Sequence, residues 1–300
     1  MAATNEMRRE AAKRKLAGQQ ERREQQAKRS RAVAVVTSAV VVVVVVVVGV
    51  VLLNMLGGSG EATDPAAAPP SEGAAATTTG PDAGAAPVTP ESIPTAVTQL
   101  PVRSTPLPAT ATCTYPTDGQ PPAKAAQPPA GADISAEGTV TVTLTTSAGA
   151  IPLTLDRALA PCTVNSFLSL AQQAYFDGSP CHRLTTSPGL QVLQCGDPTG
   201  TGTGGPGYTI PDEVFPELTY GRGILAMAKT AAPDSGGSQF FMVYGDGQLP
   251  PEYTAFGSIS PEGLQVVDAI AAAGHDGSFD AQAGGGAPVQ PVTIRTATVG

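Results

Sequence analysis

Twenty-five consecutive residues, Ala32 to Leu56, carry no charge and include an unbroken valine run from Val40 to Val48. A helix of that length, rising 1.5 Å per residue, crosses a hydrocarbon core of about 30 Å. Valine is a poor helix former in water. In lipid the backbone has no hydrogen-bond partner but itself, so there the helix prevails. The stretch exceeds the roughly 7–15 apolar residues at the centre of a secretory signal. Asn54-Met55-Leu56-Gly57-Gly58 is a poor small-x-small cleavage site, and no lipid-accepting cysteine follows it directly. The expectation is a single uncleaved transmembrane helix over 32–56 rather than a signal peptide that is removed.

Charge gives that span a direction. Met1–Arg31 holds ten Lys/Arg (Arg8, Arg9, Lys13, Arg14, Lys15, Arg22, Arg23, Lys28, Arg29, Arg31) against four Asp/Glu. By the positive-inside rule this basic tail, 1–31, is cytoplasmic and the remainder extracytoplasmic. A topology signal with a partly helical, solvated tail accounts for the segment more simply than attachment to anionic lipid does. The rest of the chain has seven Lys/Arg against twenty-one Asp/Glu. Such an acidic remainder offers no clustered cations for phosphate, so no nucleic-acid partner is expected. Two histidines and four cysteines, none in a CxxC or HExxH arrangement, leave no zinc motif. Neither metal nor cofactor is expected.

Proline and glycine make up 63 of the 300 residues and are unevenly placed. From Gly57 to Glu137 the chain is Pro, Ala, Thr, Gly and Ser with almost no apolar periodicity. That composition predicts a disordered, extended linker over 57–137, a stalk holding a domain off the membrane. Cys113-Thr114-Tyr115-Pro116 is the local exception and can pin the stalk's end to that domain.

Gly138–Gly300 has a good single-domain length. Thr139-Val140-Thr141-Val142-Thr143-Leu144 alternates as a strand, turns at Ser147-Ala148-Gly149, and is followed by alternating Ile151-Pro152-Leu153-Thr154-Leu155: a hairpin. Pro161 opens a helix whose Val164, Phe167, Leu168 and Ala171 form one apolar face. Short strands are expected around Cys181–Thr185, Leu190–Gln194, Gly223–Ala228, Gln239–Val243 and Tyr253–Ile259. A second helix follows Ser260-Pro261-Glu262, and a last strand spans Val289–Val299. Many strands with two helices indicate a mainly β fold, a closed antiparallel barrel with helical caps.

Several motifs occur in order: Ala160-Pro161-Cys162-Thr163-Val164-Asn165-Ser166-Phe167, Tyr175-Phe176-Asp177-Gly178, His182-Arg183-Leu184, Gln194-Cys195-Gly196-Asp197, Gly202-Thr203-Gly204-Gly205, Gly223-Ile224-Leu225-Ala226-Met227-Ala228, Gly237-Ser238-Gln239-Phe240-Phe241 and Phe256-Gly257. Each is weak alone; the ordered set resembles the cyclophilin family of peptidyl-prolyl isomerases, over about Thr139–Thr298. The full layout resembles the membrane-anchored cyclophilins of actinobacteria. The resemblance implies an eight-stranded barrel in 138–300 and rotation of Xaa-Pro bonds in exported or envelope proteins. Proline-containing polypeptides are then the partners, besides the bilayer around Ala32–Leu56.

Rotating an amide breaks no bond, and a guanidinium, charged at any working pH, suits the work of stabilising the twisted state. The resemblance implies that Arg183 is the catalytic arginine and that Phe241 is the pocket phenylalanine, with Phe240 behind it as core. It implies peptide-binding roles for Gln194 and Gln239, a backbone edge at Ala228, Lys229 and Thr230, and pocket walls at Leu249 and Tyr253. His182 counts with the substrate-facing set. Two departures matter. Ten residues separate Arg183 from Gln194 where the family pattern has seven, and the phenylalanine that usually follows Pro-Gly is missing, so Leu190 or Val192 covers that side. Gln248 stands where a tryptophan or phenylalanine is common, which implies weakened cyclosporin binding. A cyclophilin-fold module that grips proline segments without much catalysis is the rival reading; a purely structural tether would not need Arg183.

Cys113, Cys162, Cys181 and Cys195 are an even set on the side where disulfides persist. Three connectivities are open; at least one bridge among Cys162, Cys181 and Cys195 is expected, and Cys113 can tie the stalk to the barrel. A Cys181–His182 catalytic pair is disfavoured, because neighbours on a strand face opposite ways. Gly200–Gly205 lacks the Lys-Ser/Thr of a phosphate loop and reads as a flexible turn beside the groove. His275-Asp276 reads as a solvated loop.

Overall fold

The computed structural model describes residues 86–281 and 283–300. The basic tail, the expected span Ala32–Leu56 and the first part of the linker lie outside the described residues. Among the described residues, no helix is long and apolar enough to cross a membrane.

Two short strands, β1 (Thr110–Ala111) and β2 (Ile134–Ser135), pair with each other ahead of the main sheet. The sheet itself is built from β3 (Thr139–Thr146), β4 (Ala150–Asp156), β5 (Ser179–Pro180), β6 (Arg183–Leu184), β7 (Leu190–Cys195), β8 (Ile224–Met227), β9 (Phe240–Gly247), β10 (Ala255–Ile259) and β11 (Thr293–Val299). Helix α1 spans Pro161–Gln172 and α2 spans Pro261–Ala273. The strand order is β5-β11-β3-β4-β10-β8-β9-β7-β6, with every pairing antiparallel.

Nine strands stand where eight were expected, because one extended segment serves both ends of the order. Ser179–Pro180 pairs with β11, and Cys181 N–H still donates to Val292 O at 2.8 Å. Two residues later Arg183–Leu184 pairs with β7 instead. The result is a strongly curled antiparallel sheet. The last strand begins at Thr293 rather than Val289, after Pro291, which has no N–H to give a ladder.

The β3–β4 hairpin turns where the Gly149 motif places it. Thr146 Oγ1 accepts from the N–H groups of Ala148 and Gly149, and Gly149 has a φ of 144°. Alternation along β3 and β4 buries Val142, Leu144, Ile151, Leu153 and Leu155. Phe167 of α1 carries the centre of the core, with ring centroids 4.8, 5.2 and 5.4 Å from Phe176, Phe240 and Phe256.

The two helices start differently. Ser260 Oγ accepts from Gly263 N–H at 3.0 Å, a local cap of the usual kind, and Gly274 closes α2 at a φ of 82°. Ala160 cannot cap α1. The carboxylate of Glu213, some fifty residues on, takes the N–H groups of Cys162 and Thr163 at 2.9 and 2.8 Å. Burial pushes the Glu213 carboxyl up, against these hydrogen bonds and the Arg103 charge.

The linker expectation needs correction over its described part. Residues 86–137 do not stand off as a stalk; they form a strap laid along the domain. Val88 exchanges two backbone hydrogen bonds with His275, and Thr98 N–H donates to Arg222 O. Arg103 donates to Leu159 O and Glu213 O, with its guanidinium 4.3 Å from the Phe215 ring centre. Cys113 is disulfide-bonded to Cys162, and Tyr115 O–H donates to Cys162 O at 2.9 Å. Lys124 Nζ donates to the carbonyls of Ala174 and Asp177. The tie at Cys113 is as expected, with Cys162 as its partner, but the specific polar contacts that hold the rest of this stretch are ones compositional reasoning does not register. The other pair is Cys181–Cys195.

His275 is also corrected. It is buried, its Nδ1 accepts from Gly277 N–H, and Nε2 therefore carries the proton toward Thr186 Oγ1 at 3.0 Å.

Candidate active site

Register sets the site. Residues directly opposed across a ladder share a face, and so do residues two apart on one strand. Arg183 opposes Gln194, Gln194 opposes Phe241, and Ala226 opposes Phe241. Val192, two residues before Gln194, joins the same face opposite Val243. The other face carries Leu184, Leu193, Met242, Leu225 and Phe240, all buried, with Phe240 against Phe167 of α1. One face is therefore core, and the other collects the arginine, the glutamine and the phenylalanine.

The polar side chains form a directional chain. Arg183 Nη1 donates to Gln194 Oε1 at 3.0 Å, and Gln194 Nε2 donates to Gln239 Oε1 at 2.9 Å. Gln239 Nε2 donates to the carbonyls of Gly202 and Gly204, both at 3.0 Å. The glycine turn is not loose, contrary to expectation. Asp197 pins it, accepting from the N–H groups of Thr199, Gly202 and Gly204. Burial alone would raise the Asp197 carboxyl; the Thr199 hydroxyl and the backbone N–H groups of Gly204, Thr199 and Gly202 outweigh it and hold it below the usual carboxylate range.

Among the described residues Arg183 meets no carboxylate. Its Nε donates to Gly284 O at 2.8 Å and its Nη2 to Ala283 O. A guanidinium carries five N–H bonds; among the described residues these contacts and Gln194 take three, leaving one on each terminal nitrogen. Burial lowers the pKa of Arg183, with the neighbouring Tyr253 opposing. An arginine so shifted still carries its charge in the working range.

The apolar side of the face centres on Phe241, whose ring meets Tyr253 edge-to-face with centroids 5.7 Å apart. Leu249 is half-buried against the same core. Between the two candidates left open, Val192 is the one on the Gln194–Phe241 face, while Leu190 lies beyond a register shift. The extra residues between β6 and β7 fold into a turn over Thr185–Gly189. Tyr244 O–H donates to Thr185 O, and Gln248 N–H donates to Gly189 O at 2.7 Å. Gln248 itself is exposed.

Three expected contributors sit differently. Ala228 gives its N–H to Gln239 O in the ladder. Lys229 turns its ammonium to Asp212 at 2.6 Å, so only its backbone is available to a ligand. His182 is buried, with Nδ1 unpartnered among the described residues; burial lowers its pKa, against the pull of Asp197. The sequence reading missed Asp197, although an aspartate before a Gly/Thr run signals turn pinning. It had no means of finding Ala283 and Gly284, about a hundred residues from Arg183.

Residues 141–299 match the family model described as cyclophilin type peptidyl-prolyl cis-trans isomerase/CLD, over half of the chain. The chain belongs to this family. It is 52% identical over 171 residues to a probable peptidyl-prolyl cis-trans isomerase B of Mycobacterium tuberculosis, covering 53% of this chain and 53% of that protein. It is 45% identical over 197 residues to the protein of the same description from Mycobacterium leprae, covering 61% and 65%. The chain thus spans about half to two thirds of the length of these relatives. The crystal structure of a cyclophilin type peptidyl-prolyl cis-trans isomerase from Cryptosporidium parvum is 30% identical, covers 54% of this chain and 98% of its own, and has a TM-score of 0.48. Within this cyclophilin domain, Arg183, Gln194, Gln239 and Phe241 lie on one connected face, and Cys181–Cys195 clamps the two strand ends that carry Arg183 and Gln194.

Proposed function

We propose that this chain is a membrane-anchored, extracytoplasmic peptidyl-prolyl cis-trans isomerase acting on Xaa-Pro bonds of exported or envelope proteins. Family membership and the connected Arg183–Gln194–Gln239 chain beside Phe241 support the activity. The uncharged run Ala32–Leu56 behind a basic tail supports the anchor, and two disulfides support an oxidising compartment.

The barrier to be lowered is about 18–20 kcal/mol, set by delocalisation of the nitrogen lone pair into the carbonyl. Bringing an exchange of tens of seconds to milliseconds takes roughly 10⁴-fold, or about 5–6 kcal/mol. As the C–N bond twists, the lone pair localises on nitrogen and becomes a better acceptor. An N–H aimed at that atom therefore binds the twisted state more strongly than either planar one. The two N–H bonds that Arg183 keeps free supply this donor. Gln194 and the Gly284 and Ala283 carbonyls hold the guanidinium still, so little reorganisation is needed when the amide turns. Partial burial strengthens the contact by lowering the local dielectric. Phe241, Tyr253, Leu249 and Val192 would hold the proline ring, with Gln239 and the Ala228–Lys229 backbone holding the flanking peptide, so that one half stays fixed while the other rotates.

The arrangement of Arg183 with spare donors on the Phe241 face carries this reading. A protease-coupled assay on the full-length chain, kept in mild detergent, tests it with Arg183→Ala. The variant should lose about 100-fold or more in kcat/KM. Equal rates in variant and wild type would favour the rival, a module that holds proline segments without turning them. The exposed Gln248 in place of an aromatic wall supports weak cyclosporin binding; nanomolar inhibition would contradict that part.

A further inference from the structure

Tyr253 walls the proline pocket from an insecure position. It lies in the connection between β9 and β10, after Pro250 and Pro251, which have no N–H, and before Ala255, where ladder pairing begins. What holds it is a residue that no motif pointed to. The Tyr220 hydroxyl donates to Tyr253 O at 2.6 Å and accepts from Tyr253 N–H at 3.0 Å. One oxygen thus satisfies both backbone groups of Tyr253. The Tyr220 ring also stands edge-on to the Tyr253 ring, centroids 6.2 Å apart at 86°, and Tyr253 in turn stands edge-on to Phe241 at 80°.

Tyr220 is fixed from behind. Its backbone bridges Gly247 at the end of β9, where a side chain would run into Tyr220 O at 2.9 Å. It also lines a recess of about 290 Å³ whose other walls include Pro94, Ala96 and Thr98 of the strap. The chain of contact therefore runs from a buried, anchored ring through Tyr253 to the pocket phenylalanine, and none of its members shares a hydrogen bond with Arg183.

We propose that Tyr220 is a positioning residue for the proline pocket, setting the Tyr253 ring against Phe241 by clasping the Tyr253 backbone from both sides. The proposal rests on the isomerase reading for its kinetic consequence but not for its binding consequence. Burial holds the Tyr220 phenol up at about 12, so the donor stays protonated through the working pH range. Loss of the hydroxyl leaves the ring packing in place and frees the Tyr253 peptide, which loosens the pocket while the hydrogen bonds of Arg183, Gln194 and Gln239 stay as they are.

The test uses Tyr220→Phe, Tyr253→Ala and the double variant of the full-length chain, with calorimetric affinity for an Xaa-Pro peptide and separate kcat and KM. Tyr220→Phe should weaken affinity and raise KM about tenfold, as expected for two lost hydrogen bonds, while kcat stays within about threefold. Added to Tyr253→Ala, it should have no further effect on affinity, because nothing is left to position. Unchanged affinity in Tyr220→Phe, or an equal further loss in the Tyr253→Ala background, would overturn the proposal. If the wild type binds peptide but does not accelerate exchange, the isomerase reading fails, and the affinity arm alone still decides the role of Tyr220.

Discussion

The strap over 86–137 and the sheet over 139–299 are held by different physics. The sheet is periodic: side chains alternate, strands pair along their length, and apolar faces meet around Phe167. The strap has almost no regular structure and few buried side chains. It is held by a disulfide, by Arg103 against two carbonyls and a phenyl ring, by Lys124 against two carbonyls, and by backbone bonds, two at Val88 and one at Thr98. Periodic structure can be read from composition and spacing. Attachment by a few long-range polar groups cannot, because each contact joins residues far apart in the chain.

The two disulfides divide along the same line and offer the sharpest way to break the comparison. Cys113–Cys162 closes a separation of 49 residues between strap and α1; Cys181–Cys195 closes 14 within the site strands. Loop-closure entropy assigns about 4 kcal/mol to the first and about 3 kcal/mol to the second. Cys113→Ala with Cys162→Ala should therefore lower unfolding free energy by more, in denaturant titration, yet leave kcat/KM at 25 °C within about twofold. Cys181→Ala with Cys195→Ala should cost less stability but lower kcat/KM by about tenfold, as the Arg183–Gln194 pair loses its clamp. Were the strap bridge the one to impair catalysis, the division between holding and acting would fail.

A smaller effect is expected at Arg103. Replacing it by alanine removes hydrogen bonds to Leu159 O and Glu213 O and the contact with Phe215, at about 1–2 kcal/mol by chemical denaturation. Activity should be unaffected.

The smallest effect is a pH dependence. Burial lowers the pKa of both His182 and His275, the two histidines of the chain. A base with a depressed folded pKa binds more protons when unfolded, so stability should be level above about pH 6.5 and decline as pH falls below it, until the folded histidines protonate in turn. His275→Gln should flatten part of that decline. An unchanged slope would mean that His275 titrates as freely as in the unfolded chain.

Much of the sheet was legible. Alternation in Thr139–Leu144 and Ile151–Leu155 marked the hairpin, Ser260-Pro261-Glu262 marked the start of α2, and Phe240 and Phe241 take opposite faces of β9 as strand neighbours do. Resemblance marked Arg183, Gln194 and Gln239, and register then brought them together. Whatever depended on distant polar partners stayed hidden: Glu213 capping α1, the Ala283 and Gly284 carbonyls on Arg183, Tyr220 behind Tyr253, and the course of the strap apart from its expected tie at Cys113. His275 was taken for solvated because the Thr186 hydroxyl that receives its proton lies 89 residues away.

The central claim is that Arg183 acts on the twisted amide rather than on binding. Exchange NMR on an Xaa-Pro peptide saturating the full-length chain separates the two, since it reads the on-enzyme cis–trans rate and the affinity in one sample. With Arg183→Ala the account predicts an exchange rate lower by about 100-fold or more and an affinity changed by less than about threefold. An on-enzyme rate equal to that of the wild type, with only the affinity lowered, would contradict it.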